Sequence, residues 1–141
     1  MKEEQSMRPD AGTPADCLRR ARSDLALAQP TPDPQVLLED LCFHAQQAAE
    51  KSFKAMLVSR GVTVPRTHSL RTLLDLRPAD ISAPQDVLLS DGLTVYAVSS
   101  RYPGDYEEIT EEDCQEAFRL AAAVAAWADR LCLQLNEPVG S

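Results

Sequence analysis

From Pro34 to Arg60, Leu37, Leu38, Leu41, Ala45, Ala48, Ser52, Ala55 and Met56 recur at helical spacing, and Gly61 follows. That is one small and apolar stripe along a single helix, opened by Asp33-Pro34 and stopped by a glycine. At 1.5 Å per residue such a helix is about 40 Å long. An apolar stripe of that length has to be covered, and the rest of the chain supplies further helices to cover it.

Thr13 with Pro14 opens a first helix carrying Leu18, Ala21, Leu25 and Ala28, and the proline-rich stretch 29–34 ends it. After the long helix, Val62 to Pro65 is too short to be more than an extended link. Ser69 to Leu76 reads as a short helix with Leu70, Leu73 and Leu74 turned inward. Residues 77–85 hold Pro78 and Pro84 and read as loop. Val87 to Ser100 reads as a fourth helix, with Val87, Leu89, Leu93, Tyr96 and Ala97 inward, weakened by Gly92 and by its β-branched content. Pro103-Gly104-Asp105 forces a turn. Thr110 with Asp113 forms a shortened capping box for a last helix reaching Leu135, which carries Ala117, Ala121, Val124, Ala128, Leu131 and Leu135. The expectation is an all-α, up-and-down bundle of four long helices plus one short helix over 13–136. A lead-in of 1–12 precedes it and a tail of 137–141 follows.

Composition agrees. Apolar residues make up 44% of the chain and aromatics only 5%, a Leu- and Ala-rich mix suited to helix packing. The net charge of −8 argues against a general binder of nucleic-acid backbones. The start has no apolar signal run and no stretch is long enough to span a membrane, so a cytoplasmic protein with reduced thiols is expected. Cys17, Cys42, Cys114 and Cys132 lie far apart, and with only His44 and His68 beside them no zinc-ligand spacing exists. Neither metal nor cofactor is implied.

Phe43-His44-Ala45-Gln46-Gln47-Ala48-Ala49-Glu50-Lys51, then Lys54-Ala55, Pro65-Arg66-Thr67-His68-Ser69-Leu70, Leu73-Leu74 and Arg101-Tyr102-Pro103 follow one another in order. With the Ala-rich last helix around Trp127 and Leu131, these blocks resemble the HEPN-domain family over roughly 15–133. The resemblance implies a helical bundle that is usually a homodimer. It also implies a minimal nucleotidyltransferase partner, in some cases within a toxin–antitoxin system. Many relatives are metal-independent ribonucleases whose site is an Arg followed a few residues later by a His. Here Tyr102-Pro103-Gly104-Asp105-Tyr106-Glu107 follow Arg101, and no His occurs after it.

Three readings follow. The first is a dimeric binding or partner module serving a nucleotidyltransferase, with a polar face for a nucleotide or phosphate. The second is a ribonuclease with a degenerate site drawn from Arg101, His44 and His68. The third is a plain scaffold bundle. On the residues, His44, Gln47, Lys51 and Lys54 share one side of the long helix, either as an anion-binding stripe or as a hydrogen-bonded flank. His68, beside Arg66, suits a general base or a phosphate contact, or a brace for the short helix. Arg101 and Tyr102 suit phosphate recognition or helix capping. The acidic run Glu107, Glu108, Glu111, Glu112 and Asp113 opens a helix, where the dipole favours negative charge.

Overall fold

The computed structural model describes residues 12–97 and 108–136, with side chains described as far as Leu133. All regular structure among them is helical, in the order α1 Pro14–Leu27, α2 Leu38–Ser59, α3 Leu70–Asp75, α4 Gln85–Leu89, a 3-10 segment Ser90–Tyr96 and α5 Glu111–Asn136.

The long α2 is the axis of the bundle, packed along both α1 and α5, with the shorter pieces closing one side. Its expected stripe is buried from Leu41 through Met56, and Cys42, Ala49, Phe53 and Leu57 widen it nearly around the helix. A helix with neighbours on two sides must be apolar on two sides. Trp127 of α5 meets Phe53 edge-on at 5.7 Å between ring centroids, and its indole N–H donates to the Ser82 carbonyl at 3.1 Å. The tryptophan is a core residue that also pins the 76–84 loop.

The α2 start lies four residues later than the Asp33-Pro34 signal suggests. Asp33 does act as a cap, but of a turn: its carboxylate accepts from the Gln35 N–H at 2.9 Å and its carbonyl from Val36 N–H. Leu37 is therefore extended and more than half exposed, outside the core. At the other end Gly61 has φ +74°, and the bonds Gly61 N–H to Val58 and Val62 N–H to Leu57 close the helix in a Schellman arrangement.

The fourth segment is helical but not one long α-helix. Five α residues give way to a 3-10 run. The buried Ser90 hydroxyl donates to the Val87 carbonyl at 2.6 Å, three residues back, the reach of a tighter helix. Thr94 Oγ1 accepts from Leu70 N–H at 3.1 Å and so caps α3 from outside. Leu89, expected inside, is about half exposed, while Val87 and Leu93 are buried. Capping elsewhere follows the sequence. Thr13 accepts from Asp16 N–H, Ser69 from Thr72 N–H, and Thr110 and Asp113 exchange two bonds at 2.9 and 3.1 Å.

Candidate functional site

Two buried carboxylates organise the polar side of α2, and each is held by one lysine and one histidine. The first is Asp24, on α1 and nearly inaccessible. Its Oδ1 meets His44 Nδ1 at 2.9 Å and its Oδ2 accepts from Lys51 Nζ. A buried carboxylate without partners would be very costly, so this three-way contact is a condition of α1 lying where it does.

The second is Glu50, within α2. Its Oε1 meets His68 Nδ1 at 3.0 Å and accepts from Gln46 Nε2 at 3.1 Å, while Oε2 accepts from Lys54 Nζ at 2.8 Å. Gln46 is fully buried and spends its second N–H on the His68 carbonyl at 3.2 Å, and its own oxygen accepts from Gln47 at 2.7 Å. Burial pushes the Glu50 carboxyl up, but the bonds from Lys54, His68 and Gln46 outweigh it and the net displacement is downward. Glu50 is ionised at neutral pH.

This assembly brings together His44, Gln47, Lys51, Lys54 and His68 from the expected set. It adds Asp24, Gln46 and Glu50, on which they all converge. Arg101 and Tyr102 lie outside the described residues. Gln46, Glu50 and Lys54 stand four residues apart in turn, a ladder visible in the sequence. Asp24, on another helix, carried no such signal.

The chemistry on offer is at the exposed edges. His68 keeps about two-thirds of its side-chain surface, and its Nδ1 is engaged by Glu50, so Nε2 is the ring atom left to meet a ligand. If Nδ1–H donates to the carboxylate, a neutral ring presents Nε2 as an acceptor and the imidazolium presents it as a donor. Arg66, two residues earlier, is exposed and has no hydrogen-bond or ion-pair partner among the described residues. His44 repeats the carboxylate–imidazole arrangement on Asp24 with less exposure.

Among the described residues, grooves of about 230 to 440 Å³ are lined by residues other than His44, Gln47, Lys51, Lys54, Arg66 and His68. One of about 440 Å³ runs between α1, the end of α2 and α5, past Leu18, Val58 and Cys132. Among the described residues, no group of three or more His, Cys, Asp or Glu is placed to hold a metal ion, and no helix is long and apolar enough to cross a membrane.

The HEPN domain pattern matches residues 15–131. The chain belongs to the HEPN family. The crystal structure of TT1696 from Thermus thermophilus is similar at 30% identity, over 84% of this chain and 97% of that one, with a TM-score of 0.72. ST0689, an archaeal HEPN homologue, is 28% identical over 85% of this chain and 98% of its own, with a TM-score of 0.65. No curated protein sequence matches. The HEPN bundle thus accounts for α1 to α5 together, with the paired carboxylates on its α1–α2 side.

Proposed function

We propose that this HEPN protein is a homodimeric partner module of a minimal nucleotidyltransferase, in the manner of a toxin–antitoxin pair, acting in the cytoplasm. Its contribution is to bind the phosphate of a nucleotide on the polar face of α2 and the 66–68 link. The observation that carries the reading is the inventory of charge on that face. Its carboxylates are buried and internally matched by Lys51, Lys54 and the two imidazoles. What remains outward is the His68 ring edge and the exposed Arg66 guanidinium, which has no partner among the described residues. An anion-compatible edge on a chain of net charge −8 is a local feature, and guanidinium is suited to bidentate phosphate contact. Arg101 and Tyr102 belong to the same proposed set by their place in the family-like blocks.

The test is calorimetric titration with nucleoside triphosphates, on the protein alone and after co-expression with a minimal nucleotidyltransferase. Arg66→Ala is expected to weaken binding by about tenfold, the worth of one charge-assisted contact. Binding that is unchanged in Arg66→Ala, or no binding in either preparation, sinks the reading.

The carboxylate–histidine pairs favour one alternative, a metal-independent ribonuclease in which His68 or His44 acts as the base. It predicts RNA cleavage that is lost in His68→Ala or His44→Ala and in Arg101→Ala. Intact RNA at high protein concentration removes it.

A further inference from the structure

We propose that Cys42 and Cys114 form an oxidative modification site, at which a hydroperoxide closes an intramolecular disulfide between α2 and α5. The two sulfurs stand 3.3 Å apart although 72 positions separate them in the chain. Both residues are buried and both are free thiols. A disulfide has an S–S length of about 2.05 Å, so an approach on the order of 1 Å completes it. Cys132 donates to the Ala55 carbonyl at 3.7 Å, and Cys17 is a half-buried free thiol on α1.

Access distinguishes the two sulfurs. A groove of about 280 Å³ opens between Pro30, Pro32, Leu38 and the first turn of α5, and Cys114 lines it whereas Cys42 does not. A small peroxide entering this groove meets Cys114 first. The Cys114 thiolate attacks one peroxide oxygen, the O–O bond breaks, and the departing oxygen takes a proton and leaves as water or alcohol. Cys114 is then a sulfenic acid. Cys42 attacks its sulfur, the S–O bond breaks, and the hydroxide leaves as water with the proton from Cys42. Two thiols have lost two electrons and two protons, and the peroxide has been reduced. Burial raises both thiols, so neither is a quick nucleophile, and proximity is what makes the pair reactive towards each other. A thiol placed this way is spent on its neighbour before it reaches irreversible oxidation states.

The product ties the second turn of α2 to the first turn of α5 and encloses α3, α4 and the 3-10 segment in one covalent ring. A closed loop of this length restricts the unfolded chain strongly, which corresponds to a rise in melting temperature on the order of 10 °C.

The experiment treats the purified full chain with hydrogen peroxide and reads intact mass, non-reduced peptide maps and thermal melting, before and after dithiothreitol. Expected are the loss of two hydrogens, a Cys42–Cys114 linked peptide, and a raised melting temperature that dithiothreitol reverses. Cys42→Ala and Cys114→Ala should each abolish the cross-link, while Cys17→Ala should not. Oxygen added to Cys114 without a cross-link, or a linkage through Cys17 or Cys132, overturns the proposal. The wild-type map decides this whether or not the variants fold.

Discussion

Glu50 shows how one side chain can set a local charge pattern. Replacing it with Gln keeps the shape and one acceptor but leaves Lys54 without its buried counter-ion and weakens the hold on His68. Glu50→Gln is therefore expected to destabilise the fold by about 1–3 kcal/mol at neutral pH, measured by urea unfolding. The pH dependence follows from the lowered carboxyl. Between the folded value and the ordinary 4.5, the unfolded chain binds a proton that the native chain does not, so stability rises with pH. The contribution is complete above about 4.5 and is lost as pH falls through the folded value. Melting curves between neutral pH and about pH 3 should fall less steeply for Glu50→Gln than for wild type, and parallel curves would refute the assignment. His44, Lys51 and Lys54 were legible in the sequence because they share one face of α2, and His68 because it stands with Arg66 just before the short helix. Asp24 was not, because only packing of α1 onto α2 brings it within 2.9 Å of a histidine twenty positions away.

Elements were readable where a local signal fixed them and misread where two signals competed. Gly61 after a long apolar stripe marked the end of α2, and its φ of +74° is the reason a glycine stands there. Asp33-Pro34 carried equal weight as a start signal, yet Asp33 satisfied its capping capacity on a turn and α2 began without a side-chain cap. The fourth segment had enough inward residues for a helix, but Gly92, Thr94 and Val95 gave it poor α-propensity, and bonds from Ser90 and to Thr94 settled it as 3-10. These two glycines predict opposite results. A Cβ at either position meets nothing within 4 Å, so only backbone terms differ. Gly61→Ala is forced into a left-handed conformation and should cost about 1 kcal/mol. Gly92 lies outside the left-handed region, so Gly92→Ala should stabilise by about 0.4–1 kcal/mol through the unfolded chain. Paired thermal melts check both, and equal shifts of the same sign would contradict the distinction.

At the scale of the whole molecule, the all-helical class was legible because a stripe as long as that of α2 can be covered along its length only by other helices, and α1 and α5 do so. Which polar side chains converge was not legible, since their partners come from three separate stretches of chain. The same scale governs how a ligand arrives. A net charge of −8 repels an approaching phosphate at long range, whereas Arg66 attracts it only at contact. Salt screens the long-range repulsion and the short-range attraction together, over a Debye length of about 10 Å at 0.1 M. A nucleic-acid binder that displaces many counterions loses affinity steeply with salt, about one unit of log–log slope per phosphate neutralised. The proposed single-phosphate site should instead show a slope no steeper than about −1 for a nucleoside triphosphate, and Arg66→Ala should flatten it towards zero. Titrations at about 50 and about 300 mM salt measure this directly. A slope of several units would mean that the protein engages an extended polyanion, and the ribonuclease reading would then displace the partner module.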